Sequence, residues 1–274
     1  MLRALSLVAL MQAAGIAAYL GLFRGHLRAA AHDIRRVGVW SAAIAPLLLA
    51  AQFILEPARM AGDFGGIFDP SLQRVTLASP AAATLGVRLT GVILLVAGLS
   101  RLRPVGRALG LAGACLVAAS FALMGHTAVS PWRPLLAPAL MAHVLIAEFW
   151  FGAIPALYLV TLRELPDVAA RAVEAFSKLA LWVVPALAIA GAFMALVLVR
   201  HLASFRQPYG WLLLAKIMGF AFLMGFAVAN RLRLGPAVAS GATRAFRHSL
   251  AAEYLLLLAV LAATATMTSL FSPD

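Results

Sequence analysis

The sequence predicts an all-α integral membrane protein, a bundle of about eight transmembrane helices with both termini periplasmic, and three observations point there. Of the 274 residues, 64% are hydrophobic and 12% charged, and mean hydropathy is +0.96. That is about half the charged share of an average soluble domain, too little to cover a water-facing surface. Apolar runs recur at the length of a bilayer crossing, about 20 residues for a ~30 Å hydrocarbon core. Strands of about ten residues alternating in polarity, the mark of a membrane β-barrel, are absent, so the backbone must satisfy itself within helices.

A pass along the chain with a window of about 19 residues places the spans near 4–23, 37–55, 81–100, 108–125, 136–161, 179–199, 210–229 and 250–270. The first span has a second reading, a cleaved signal peptide, because Arg3 precedes an apolar run that ends in small residues. Charge placement opposes it. The next loop holds Arg24, Arg28, Arg35 and Arg36, which the positive-inside rule assigns to the cytoplasm. With both termini outside, the cytoplasmic loops also gain Arg101, Arg103, Arg107, Arg163, Arg171, Lys178, Arg231, Arg233, Arg244 and Arg247. Six basic residues then lie outside: Arg3, Arg59, Arg74, Arg133, Arg200 and Arg206.

The net charge of +12 is spread over short loops that flank apolar spans, so it reads as topology and contact with membrane lipid, not as a nucleic-acid surface. The single cysteine, Cys115, lies mid-span and excludes an internal disulfide, a CxxC motif and c-type haem attachment. The connection from Glu56 to Pro80 is rich in glycine and reads as an external loop in which Asp63 and Asp69 serve turns. No phosphate-binding glycine loop occurs, which argues against ATP-driven transport by this chain. No nucleophile, base and acid can be assembled in a water-accessible pocket, so no enzyme activity is expected. The whole chain, 1–274, reads as one transmembrane domain.

Function is sought in polar groups at membrane depth, each of which costs about 2.5–3.5 kcal/mol at a helix centre. Five stand out: Arg88, His143, Glu148, Lys216 and Glu253. A second set gathers at the outer helix ends, where the fourth span closes on Met124-Gly125-His126, the fifth opens with Met141 and His143, and the sixth ends at Arg200-His201. Imidazole serves either copper oxidation state and thioether sulfur favours Cu(I), so Met124, His126, Met141, His143 and His201 form a candidate copper entry site. His26, His32 and His248 accompany arginines in cytoplasmic segments and are set aside. On the fifth span His143 and Trp150 share a face while Glu148 lies about 140° away. Glu148 is expected to pair with Arg88 or Lys216, or to carry protons or cations. On the seventh span Tyr209, Lys216, Leu223 and Asn230 form one stripe that must face the bundle.

The segment His143-Val-Leu-Ile-Ala-Glu-Phe-Trp-Phe-Gly-Ala153 resembles the histidine, apolar stretch and Trp-x-Gly-Gly pattern of the CopD/PcoD copper-resistance membrane proteins. Phe176-Ser177, then Pro208-Tyr209-Gly210-Trp211-Leu212-Leu213 with Lys216, then Asn230-Arg231 with Pro236, and the run from Arg247 to Glu253 follow the same order. The resemblance is strongest over residues 120–274 and looser before, through Gly86 to Arg88 and Gly125-His126. Two departures stand out: Ala153 replaces the second glycine, and Glu148 stands where the family has a small or apolar residue. The resemblance implies an inner-membrane protein that handles copper beside a periplasmic partner of the CopC type. It nominates His126 and His143 as ligands, with Trp150, Tyr209, Lys216, Asn230 and Glu253 as family positions. Two alternatives stay open. One is a haem b protein with His126 and His143 as axial ligands on facing helices. The other is a membrane scaffold for a periplasmic copper chaperone.

Overall fold

The computed structural model describes residues 1–101, 104–198 and 206–270. In chain order they form α1 (Leu2–Phe23), α2 (Ala31–Ile54), α3 (Glu56–Ala61), α4 (Pro70–Leu77), α5 (Pro80–Ser100), α6 (Pro104–Ser120), α7 (His126–Val129), α8 (Arg133–Arg163), α9 (Pro166–Leu198), α10 (Pro208–Ala229), α11 (Gly235–Ala237) and α12 (Arg244–Leu270). Among the described residues eight helices are long and apolar enough to cross a membrane: α1, α2, α5, α6, α8, α9, α10 and α12, some extended by a short adjoining turn. The protein is therefore an all-α membrane protein. His201, Arg103, Arg200 and Asp274 lie outside the described residues.

The bundle is built around α1 and α8. From Leu7 to Leu20 nearly every residue of α1 is enclosed, because α2, α6, α8 and α12 all pack on it. The helix read alternatively as a signal peptide is thus the centre of the fold. Small residues make this possible. A Cβ on Gly15 would collide with the Glu148 carbonyl oxygen, and one on Gly152 would collide with the Gly15 backbone, so α1 and α8 cross backbone on backbone. Without a hydrophobic drive between helices in lipid, such close approach is where packing energy is gained. Gly91 against Gly113, and Gly98 against Gly106 and Gly110, draw α5 and α6 together by the same means. By contrast, α9 buries few of its residues and presents Leu181, Trp182, Ile189 and Leu196 outward, as a lipid-facing helix does.

Polar contacts fix the two ends. At one, Arg3 Nη1 donates to the Thr268 carbonyl and to Ser269 Oγ, both at 3.2 Å, and Ser6 Oγ donates to Gln52 Oε1 at 3.1 Å. The beginning of α1 and the end of α12 therefore meet on one side. At the other end, Glu164 Oε1 accepts from the backbone N–H groups of Arg28, Ala29 and Ala30, each at 2.8 Å. These N–H groups precede the first turn of α2 and lack helical partners, which is why a carboxylate settles there. Arg163 Nε reaches Asp33 Oδ2 at 2.8 Å beside it.

The connection from Glu56 to Pro80 carries more structure than a loop. It holds α3, a 3-10 turn at Phe64–Phe68 and α4. Asp63 caps the turn through Gly65 and Gly66 N–H, and Asp69 caps α4 through Ser71 and Leu72 N–H. The Ser71 hydroxyl, 2.6 Å from Asp69 Oδ1, and then the Ser71 backbone N–H hold the Asp69 carboxyl below its ordinary range.

Candidate copper-handling site

On α8, His143 stands one helical residue beyond Ala142 and turns toward α9. Its Nδ1 lies 3.1 Å from the Leu187 carbonyl oxygen. A carbonyl oxygen only accepts, so Nδ1 carries the proton and Nε2 keeps its lone pair. Gly191 makes the contact possible, since a Cβ there would come within 3.1 Å of His143 Cε1. No described residue hydrogen-bonds Nε2. An imidazole oriented through one nitrogen by a backbone carbonyl, with the other nitrogen free, is the arrangement in which histidine binds metals.

The other expected ligands are placed differently. The fourth span does not end at His126. α6 stops at Ser120, a 3-10 turn runs to Leu123, and His126 opens the four-residue α7 after Gly125 at φ +80. Met124 and His126 are exposed on this connection, which packs on α8. His126 therefore does not face His143 from an opposed spanning helix, as haem b ligation would require. Met141 precedes His143 by two residues on a continuous helix, so their side chains diverge by about 160° and do not share one face. Among the described residues no group of three or more His, Cys, Asp or Glu side chains surrounds a common point.

Deeper in the bundle the polar residues separate into independent environments. Glu148 is 1% exposed, and neither carboxyl oxygen has a hydrogen-bond partner. The expected ion pair with Arg88 or Lys216 is not formed. Arg88 instead donates from Nε to Ser120 Oγ at 3.0 Å and lies 4.7 Å from the centroid of the Phe121 ring, a cation over an aromatic face. The last residue of α6, Ser120, and the first of the turn after it, Phe121, hold this guanidinium beside α5. Lys216 is half-buried on α10 and makes no ion pair with a described residue.

Three expected residues do assemble. Trp150 Nε1 donates to Glu253 Oε1 at 2.8 Å, and Asn230 Nδ2 donates to Glu253 Oε2 at 3.0 Å. The network joins α8, α12 and the end of α10, where Asn230–Leu234 winds as a π-helical turn. Such turns are rare and recur at functional sites. Of the expected α10 stripe, Tyr209, Leu223 and Asn230 are buried, whereas Lys216 is only half-buried. Arg231 Nη1 donates to the Ser177 backbone carbonyl at 3.1 Å and ties the end of α10 to α9.

Gln12 and Ser120 belong with these residues and were missed in the sequence. Gln12 is 4% exposed at mid-span and accepts from Tyr254 O–H at 2.6 Å. The rule that singled out charged groups at membrane depth finds both once uncharged polar side chains are counted.

The chain is 28% identical over 254 residues to the copper transport protein CutJ of Bacillus subtilis (strain 168), a match covering 87% of this chain and 46% of that protein, so the chain spans about half the length of this curated relative. No solved structure matches. The sequence model described as copper resistance protein D matches residues 170–267, and the one described as the copper resistance protein D-like N-terminal domain matches residues 1–134. Between them these two matches take in all of the spanning helices except most of α8, and the chain belongs to the copper resistance protein D family of membrane proteins.

Proposed function

We propose that this chain carries copper across the bacterial inner membrane, with His143 as the ligand that receives the ion from the periplasmic side. The observation that carries this reading is the Nδ1 contact to Leu187 at 3.1 Å, which holds the ring and leaves Nε2 free for a metal. Family membership and the copper-transporting relative support the cargo. The bias of basic residues toward the Arg163 end supports placing the Arg3 end in the periplasm. Met124 and His126, on the connection packed against α8, supply the further ligands as the ion arrives. Two or three ligands, and not a closed cage of four, suit a site that must also release. A periplasmic copper-binding protein of the CopC type is the donor the resemblance nominates.

The test is copper uptake by proteoliposomes holding the parent protein, His143→Gln or His126→Gln, with His248→Gln as the control on the Arg163 side. Uptake falls sharply for His143→Gln and stays normal for the control. Normal uptake by a correctly inserted His143→Gln protein refutes the assignment. A visible spectrum of the purified protein accompanies it, because an intense Soret band would make haem b the occupant in place of copper.

A further inference from the structure

At the Arg163 end, an open cavity of about 390 Å3 lies between the first turns of α2 and the last turn of α5, lined by Arg35, Arg36, Val39, Trp40, Leu99 and Ser100. Neither Arg35 nor Arg36 has an ion pair with a described residue, although the neighbouring Asp33 is occupied by Arg163. Two arginines line one cavity that has no carboxylate in its lining, and guanidinium groups donate hydrogen bonds and accept none. Charge therefore selects an anion, and the planar fork of each guanidinium suits phosphate oxygens.

The surroundings select a lipid over a free ion. Half-buried Val39 and buried Leu99 give the lining an apolar part. From the cavity, two stripes of exposed side chains run toward the middle of the bundle. Trp40, Ile44 and Leu47 follow one another at helical spacing on α2, and Ser100, Val96 and Ile93 do so on α5. At about 100° per residue each set stays within a narrow face, so two apolar tracks leave the cavity along helices that pack on one another. Trp40 is 64% exposed beside the arginines, the position of an aromatic belt at the headgroup level. A hydrated phosphate ion has no use for these tracks, whereas acyl chains do.

We propose that the cavity between α2 and α5 seats the headgroup phosphate of an anionic phospholipid, held by Arg35 and Arg36, with its acyl chains along the Trp40 and Val96 stripes. The site stands apart from the copper reading, being at the opposite end of the bundle from His143. A zwitterionic lipid brings its own cation to the two arginines and is disfavoured for that reason.

Native mass spectrometry of the full chain in detergent tests this, with dioleoylphosphatidylglycerol or dioleoylphosphatidylcholine titrated in the presence and absence of millimolar inorganic phosphate. The parent protein retains phosphatidylglycerol in preference to phosphatidylcholine, and phosphate does not displace it. Arg35→Gln with Arg36→Gln weakens retention about 30-fold, the loss of two arginine attractions of about 1 kcal/mol each. Arg233→Gln with Arg244→Gln removes the same charge from the turn after α10 and the start of α12 and leaves retention unchanged. Ser100→Glu, which adds a carboxylate to the cavity and keeps both arginines, also lowers it. Equal binding of the two lipids by the parent protein, displacement by phosphate, or equal losses in the two double variants overturns the proposal.

Discussion

Replacing Glu253 separates two accounts of the buried network, one in which its hydrogen bonds hold α8, α10 and α12 together and one in which they are incidental to packing. The carboxyl group is 2% exposed and accepts from Trp150 at 2.8 Å and from Asn230 at 3.0 Å. Glu253→Leu strands both N–H donors where no water reaches, at about 1–3 kcal/mol each, partly offset by removing a buried carboxyl. Glu253→Gln behaves differently because Asn230 Oδ1 has no partner. Rotating that amide presents Oδ1 to the new Gln N–H, while the Gln oxygen still accepts from Trp150, so one unpartnered amide atom is exchanged for another and the cost stays below about 1 kcal/mol. Trp150→Phe removes one donor, along with ring contact to Phe220 at 6.4 Å, and a double-mutant cycle with Glu253→Leu cancels that packing loss. The expected coupling is about 1–2 kcal/mol, at the upper end of hydrogen bonds measured between transmembrane helices. Reversible unfolding in mixed micelles, followed by far-ultraviolet circular dichroism, reads it. Additivity within about 0.5 kcal/mol, or a Gln variant as unstable as Leu, refutes the reasoning.

Three further outcomes are expected. Gly15→Ala drives a methyl group into the Glu148 carbonyl and the Gly152 backbone and costs about 1–3 kcal/mol or more in the same unfolding assay; Gly86→Ala, which meets nothing within 4 Å, is neutral or stabilising. The depressed folded pKa of Asp69 means its cap on α4 is fully present above the ordinary value of 3.8 and lost as pH falls through the folded value. Hydrogen exchange over Pro70–Leu77, corrected for intrinsic rates, therefore accelerates in acid for the parent protein, and Asp69→Asn removes the pH dependence. In a Cys115→Ala background, Ser71→Cys is labelled from the periplasm and Gly241→Cys from the cytoplasm by membrane-impermeant maleimide; labelling of both from one side, or the reverse pattern, contradicts the proposed topology.

The eight spanning helices follow from the sequence because crossing a bilayer is a local demand: about 20 apolar residues must close their hydrogen bonds within the segment, and nothing distant alters that. Three of the four residues of the α10 stripe, Tyr209, Leu223 and Asn230, are buried for the same reason, the helical period, while Lys216 is half-buried. Which polar residues meet is not local. Glu253 finds Trp150 and Asn230 because α8, α10 and α12 converge, and Arg88 finds Ser120 and Phe121 because α5 and α6 close on paired glycines. Charge complementarity pointed to Arg88 or Lys216 as the partner of Glu148, yet its buried carboxyl has no hydrogen-bond partner and Arg88 is held by Ser120. The sequence named His143 by residue type and spacing. Only the packing of α9 decided that Nδ1 is committed to Leu187 and Nε2 is free, since a ring's tautomer depends on the atom facing it and that atom lies 44 residues away.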